Sequence, residues 1–98
     1  MTLKKDPEGN ETKFLHEFVD FTDKRALEIG CGAGRLTWRY ARSVHLTMGI
    51  DPNEEALREA AKDRPADLQR KAMFIQGSSL NLPFQKETFD IALLAWSL

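Results

Sequence analysis

Three glycines at alternate positions mark the part of the chain best suited to bind a ligand. Gly30, Gly32 and Gly34 follow an apolar run at 26–29 and precede a segment, 36–42, whose apolar spacing predicts a helix. Glycine permits positive φ and lets a ligand approach the backbone, because it has no Cβ. A loop of this kind between a strand and a helix binds nucleotide-like ligands in open α/β sheets. We therefore predict a ligand site at this glycine loop (residues 30–34), since a tight turn would explain only one or two of the glycines.

Polar residues also follow the next two predicted strands. Asp51 ends the second strand, where a carboxylate can accept both hydroxyls of a ribose, or could instead cap the following helix. Ser78 and Ser79 follow the third strand, and a hydroxyl and a backbone N–H there could bind the edge of an adenine. The alternative for the two serines is a polar turn that ends the strand.

Glu28 and Cys31 are the reactive side chains beside the glycines. Glu28 is a charge within an apolar strand, and burying it unpaired would cost several kcal/mol. A ligand ammonium or the backbone N–H groups of the loop would serve as its partner. Cys31 has no recognisable base beside it, which favours a small filler over a nucleophile. The catalytic residues stay unknown.

Helices and strands alternate along the chain and must position these residues. The predicted elements are helix 11–21, strand 25–29, helix 36–42, strand 44–50, helix 53–62, strand 71–76, loop 81–88 and strand 89–97. Most strand-to-strand links contain a helix, which predicts an α/β fold with a three-layer, mostly parallel sheet. The last strand is apolar on both faces, as is typical of a strand inside a parallel sheet. We expect residues 1–10 to be a loose leader and residues 11–98 to form the domain.

The composition argues against several classes of function. Fourteen basic and fifteen acidic residues give a net charge of −1, which does not suggest binding to nucleic acid. A single cysteine and two distant histidines, His16 and His45, predict neither a disulfide framework nor a metal site. We find no apolar run of the ~18–20 residues that span a membrane, and no signal-peptide core. We therefore expect a cytoplasmic protein.

Four segments, in order, resemble motifs of the class I S-adenosylmethionine-dependent methyltransferases. Residues 27–34 resemble the first motif, 49–53 the second, 77–84 the third and 88–94 the fourth strand. Dinucleotide sites use G-x-G-x-x-G, with the pyrophosphate at the helix N-terminus. Here the third glycine comes one position earlier and Arg35 occupies the dinucleotide position, which suits a ligand without a pyrophosphate.

The resemblance implies S-adenosylmethionine as cofactor and a Rossmann-like sheet with strand order 3-2-1-4, the first four strands of the family's seven. Asp51 would bind the ribose, Pro52 and Leu80 would flank the adenine, and Ser78 would stand where the family has an acid for the adenine amino group. Glu28 and the loop backbone would face the methionine portion. The implied cofactor-binding residues are Glu28, Gly30, Cys31, Gly32, Gly34, Asp51, Pro52, Ser78, Ser79, Leu80 and Ala95.

The stretch at 82–84 is most similar to the branch that acts on small molecules, including quinone-ring and lipid-like acceptors. The resemblance thus implies a cofactor-binding portion that serves methyl transfer to a small-molecule acceptor in the full-length form. Two alternatives stay open. One is a non-catalytic module that binds S-adenosylmethionine or S-adenosylhomocysteine. The other is an NAD-dependent oxidoreductase domain, which the glycine spacing disfavours. With the fourth strand at an open edge, we also expect pairing with a second copy through residues 89–96.

Overall fold

The computed structural model describes residues 10–78 and 88–95. In chain order the elements are α1 (Asn10–Phe18), β1 (Arg25–Ile29), α2 (Thr37–Tyr40), β2 (Leu46–Asp51), α3 (Glu54–Asp63), a 3-10 turn (Ala66–Leu68), β3 (Ala72–Gln76) and β4 (Ile91–Leu94). The four strands are parallel and form one sheet in the order β3-β2-β1-β4. The predicted α/β class and strand order are confirmed.

One face of the sheet packs against α1 and α2. Tyr40 of α2 is buried there, and its ring stacks on Phe21 with centroids 4.7 Å apart. The same cluster holds Leu15, Ala26, Leu36, Val44 and Ala95. Burial of these apolar side chains fixes the helix after the glycine loop against β1 and β2.

The boundaries of α2 and β2 differ from the prediction. The helix expected over 36–42 is regular only over Thr37–Tyr40, because Ser43 N donates to Tyr40 O in a closing turn. The strand expected from residue 44 begins at Leu46, and Val44 lies in the core instead. In both cases the apolar pattern predicted regular structure within residues 41–45, where the chain instead forms a turn.

β4 lies at the edge of the described sheet, where it pairs with β1. Its regular part is Ile91–Leu94, shorter than the predicted strand, and residue 96 lies outside the described residues. Burial alternates along it, and Leu94 is 61% exposed. The interior position suggested by its two apolar faces is therefore wrong for the described sheet, and the edge position implied by the strand order is confirmed.

α3 begins at Glu54, one residue after the start of the predicted helix, and packs along β2 and β3. The Asn53 side chain caps it by accepting a hydrogen bond from Ala56 N at 3.1 Å. The predicted loop at 81–88 lies outside the described residues except for Thr88. Within the described ranges, none of the helices has the length and apolar character needed to cross a membrane.

Candidate functional site

The glycine loop crosses the carboxyl ends of β1 and β2. Gly30 N and Cys31 N both donate to Ile50 O, at 2.7 and 3.1 Å, so the loop turns over the end of β2. All three glycines have positive φ, +80° at Gly30, +55° at Gly32 and +90° at Gly34. L-amino acids rarely adopt positive φ, so the backbone conformation of the loop explains why glycine occurs at these three alternate positions.

The three glycines have different surroundings. A Cβ at Gly30 would lie 2.6 Å from the backbone oxygen of Ala95, and one at Gly34 would lie 2.8 Å from the Trp38 ring. A Cβ at Gly32 would meet no heavy atom within 4 Å. Gly30 and Gly34 thus serve close packing inside the protein, whereas Gly32 borders open space where a ligand could reach the loop backbone.

Asp51 joins the glycine loop to the end of β2. Its Oδ2 accepts from Gly32 N at 2.8 Å, and its Oδ1 accepts from Asn53 N at 2.8 Å. The cap of α3 is Asn53, so the alternative that made Asp51 the helix cap is wrong. A carboxylate has about four acceptor positions, so Asp51 keeps capacity for further donors. Asp51 is only 8% exposed, and any such donor would be held in a largely dry place.

Glu28 is fully buried beneath the loop and bonds to hydroxyl groups. Its Oε1 accepts from Thr37 Oγ1 at 2.8 Å and from Tyr40 OH at 2.6 Å, and Tyr40 OH lies 2.9 Å from Thr47 Oγ1. Oε2 has no hydrogen-bond partner among the described residues. The expectation that backbone N–H groups of the loop donate to Glu28 is therefore wrong. Burial raises the pKa of Glu28 to about 7, opposed by the hydrogen bonds from Tyr40 and Thr37 and by the charge of Arg35.

Thr37, Tyr40 and Thr47 are the residues of this site that sequence reasoning missed. Thr37 and Tyr40 are three positions apart, so they lie on one side of α2 and both reach Glu28. Two hydroxyl residues three positions apart, after a strand with a single acidic residue, were the sequence signal that could have predicted these contacts. The three hydroxyls place a polar cluster inside the apolar layer between α2 and the sheet.

The Cys31 thiol points into the protein beneath the loop. The residue is buried, and a Cβ on Gly49 would lie 2.7 Å from its sulfur. Burial, with added effects of Glu28 and Asp51, raises the pKa of Cys31 to about 12. The thiol is protonated at neutral pH, in agreement with the expected role as a filler. Any contact of Cys31 with a ligand would be through its backbone.

The ends of β3 and β4 meet the same edge of the sheet. Gly77 N donates to Asp51 O at 3.2 Å and Gln76 Nε2 donates to Pro52 O at 3.1 Å, which holds the end of β3 beside β2. Ala95 N donates to Ile29 O at 2.8 Å. The residues brought to this edge are Glu28, Gly30, Cys31, Gly32, Gly34, Asp51, Pro52, Ser78 and Ala95. Ser79 and Leu80 lie outside the described residues.

Two carboxylates flank the glycine loop. Both Glu28 and Asp51 act on the Cys31 thiol through their charge, one from β1 and one from the end of β2. The Asp51 carboxylate favours a ligand that brings hydroxyl groups or positive charge to the loop. The arrangement therefore combines an accessible backbone with a carboxylate that can accept hydrogen bonds from hydroxyl groups.

Known proteins share both the sequence pattern and the fold. A family model described as a methyltransferase domain matches residues 26–98. Demethylmenaquinone methyltransferases of Lactobacillus johnsonii and Lactococcus lactis are 34% and 28% identical to this chain, over 92% and 88% of it. The chain spans 38% and 35% of the length of these two relatives.

Solved structures agree with the family match. The YcgJ protein of Bacillus subtilis has a TM-score of 0.78 at 24% identity, with 87% of this chain and 37% of that chain covered. A SAM-dependent methyltransferase of Methanosarcina mazei has a TM-score of 0.65 at 30% identity, with 92% of this chain and 42% of that chain covered. With most of its length inside the family match, the chain belongs to the S-adenosylmethionine-dependent methyltransferase domain family.

Proposed function

We propose that this chain is the S-adenosylmethionine-binding part of a methyltransferase that methylates a small-molecule acceptor. The observation that carries the proposal is the contact between Asp51 and Gly32 N at a point where the loop faces open space. It places a carboxylate and an unobstructed backbone side by side. Family membership disfavours the NAD-dependent oxidoreductase.

The residues at the sheet edge fit this cofactor. Asp51 would accept the ribose hydroxyls with the acceptor positions that Gly32 N and Asn53 N leave free. Pro52, which is exposed, would flank the adenine together with Leu80, and Ser78 and Ser79 would lie at its edge. The methionine portion would lie along the backbone of Gly30, Cys31, Gly32, Gly34 and Ala95, and Glu28 would face it from beneath the loop.

The cofactor, when bound, supplies a methyl group activated by its sulfonium. Such a transfer needs mainly alignment of the acceptor with that methyl group, in some cases with a base. The described residues contribute the cofactor side: Asp51 orients, and the loop backbone allows close approach. We propose a small-molecule acceptor because two similar proteins are demethylmenaquinone methyltransferases. Within this proposal, residues 11–98 form the cofactor-binding unit and residues 1–10 a leader.

Calorimetric titration of the chain tests the proposal. We expect heat of binding with S-adenosylmethionine and S-adenosylhomocysteine, and none with NAD, because the third glycine of the loop comes one position earlier than in dinucleotide sites. Binding of NAD alone would contradict the proposal. If the cofactor binds yet no methyl transfer follows with any added quinone-like acceptor, the non-catalytic module would be favoured for this chain.

Removing the Asp51 carboxylate should weaken cofactor binding. We expect Asp51→Ala to reduce affinity by about 1–3 kcal/mol, because hydrogen bonds from ribose hydroxyls would be lost at a site that is 8% exposed. Titration at a temperature where the variant is folded measures the change. Glu59→Ala, which removes an exposed carboxylate from α3, is the matched control and should bind normally. Unchanged affinity in Asp51→Ala would limit Asp51 to its contacts with Gly32 and Asn53.

The edge of β4 should support association of two copies. Leu94 is 61% exposed and Ala92 is also exposed, so this strand presents apolar side chains together with an edge of its backbone. We propose pairing through residues 89–96, visible in sedimentation as a mass that rises with concentration. Leu94→Lys should shift the chain toward monomer, since a charge on an edge strand opposes pairing. A clean monomer of the unmodified chain at high concentration would contradict this expectation.

A further inference from the structure

The hydroxyl cluster around Glu28 has a definite direction of donation. Oε1 of Glu28 accepts from Thr37 and Tyr40, so Tyr40 uses its proton there and takes its other hydrogen bond from Thr47. The two hydroxyl groups that donate to Glu28 therefore both stabilise its ionised form. Full burial and the unpartnered Oε2 act in the opposite direction, toward the protonated form.

The two forms of Glu28 are therefore close in free energy, and a nearby charge can decide between them. Burial sets its pKa at about 7, against the effect of the Tyr40 and Thr37 hydrogen bonds and of Arg35. A single positive charge from the exposed Arg35 already acts to lower that pKa. A second positive charge at the loop would add to the same effect.

The titratable groups around Glu28 differ in whether they can exchange a proton near neutral pH. Tyr40 on α2 and Cys31 in the loop both have a pKa raised by burial, so both stay protonated at neutral pH. Asp51 is the carboxylate on the other side of Cys31, and Arg35 is the cation at the loop. Among these groups, Glu28 is the buried one that can exchange a proton near neutral pH.

S-adenosylmethionine and S-adenosylhomocysteine differ by one positive charge, the sulfonium. We propose that Glu28 senses this charge: binding of S-adenosylmethionine at the glycine loop ionises Glu28, whereas binding of S-adenosylhomocysteine leaves more of it protonated. The proton leaves the Glu28 carboxyl for the solvent, and no other bond changes. Glu28 is then a positioning residue that acts through charge from beneath the loop. This inference rests on the proposed cofactor.

The consequence is a cofactor preference that depends on pH. Above the pKa of Glu28 the carboxylate is already ionised, and its charge favours the cationic ligand without any proton release. Below that pKa the cation must first displace a proton, so the preference for S-adenosylmethionine over S-adenosylhomocysteine weakens as the pH falls. A neutral residue at position 28 would show neither effect.

Titration calorimetry in two buffers with different ionisation enthalpies counts the protons released on binding. At pH 7 about half of Glu28 is protonated, so we expect up to about half a proton released with S-adenosylmethionine and a smaller number with S-adenosylhomocysteine. At pH 8.5 (about 1.5 units above that pKa), both numbers should approach zero for the unmodified chain. The ratio of the two affinities, measured from pH 6 to pH 8.5, should rise with pH.

Two variants separate this role from a structural one. Glu28→Gln keeps an oxygen for Thr37 and Tyr40 but cannot ionise, so it should abolish the difference in proton release and the pH dependence of the affinity ratio. Tyr40→Phe removes a donor that lowers the pKa of Glu28, so proton release should persist to higher pH. It reports on the same equilibrium if Glu28→Gln fails to fold.

The outcomes distinguish this inference from the proposed function. Binding of both ligands with equal proton release, or release that survives in Glu28→Gln, would overturn the inference and leave the cofactor in place. The inference would also be overturned if the pH at which proton release is half complete were the same in Tyr40→Phe as in the unmodified chain. If neither ligand binds the unmodified chain, the proposed function fails and the inference with it.

Discussion

Gly30→Ala is expected to lower the free energy of unfolding by about 3 kcal/mol or more, because the new methyl group would collide with fixed backbone. Its Cβ would lie 2.6 Å from Ala95 O, and Gly30 has a φ of +80° that alanine adopts only with strain. Ala95 cannot shift freely, since its N–H donates to Ile29 O. Denaturant unfolding followed by circular dichroism measures the loss.

Gly32→Ala is the matched control in the same loop. It also has positive φ, +55°, but its Cβ would meet no atom within 4 Å, so we expect a loss of only about 1 kcal/mol. The added methyl group would point into the space where we propose that the cofactor lies, so cofactor affinity should fall while most stability remains. Equal destabilisation by the two substitutions would show that contact with Ala95 is not the cause.

The second large effect is a loss of stability with rising pH caused by Glu28. Its pKa is about 7 in the folded chain against a reference of 4.5, so the folded state binds the proton more tightly. The stability contribution of such a group is highest at low pH, falls between those two values and is constant above the higher one. Between pH 5 and pH 8 we expect Glu28 to reduce stability by roughly 2–3 kcal/mol.

Glu28→Gln isolates this contribution, because glutamine stays neutral across the range. Unfolding of both proteins at several pH values, compared as a difference, cancels the titration of other groups. That cancellation matters because Asp20 and Asp90, whose pKa values are lowered by hydrogen bonds to Thr22 and Arg25, act in the opposite sense as the pH falls. A constant difference between the two proteins from pH 5 to pH 8 would contradict the assignment.

The order of the strands could be predicted, whereas the ends of the shorter elements could not. Glycines and capping residues give local signals, and Asn53 capped α3 as its residue type indicates. Val44 has the apolar character of a strand residue, yet it is buried in the core outside the regular part of β2. The length of α2 likewise depends on a turn at Ser43, whose backbone oxygen accepts from Asp23 N on another segment.

The position of the site could also be predicted, because the carboxyl ends of parallel strands meet at one edge. The partners within the site could not. Sequence reasoning offered loop amides or a ligand ammonium as partners of Glu28, and it missed the hydroxyl groups of Thr37 and Tyr40. Glu28 and Tyr40 are twelve positions apart, and their contact exists only because α2 folds back onto β1.

By itself, the sequence determined the α/β class, the strand order through resemblance, and a loop that needs glycine at three alternate positions. These features depend on local residue type and spacing, which act before the chain is folded. Only the tertiary structure decided that Gly30 and Gly34 serve packing while Gly32 faces open space, and that Glu28 is held by hydroxyl groups. The physical reason is that steric room, burial and hydrogen-bond partners are properties of segments distant along the chain that become neighbours on folding.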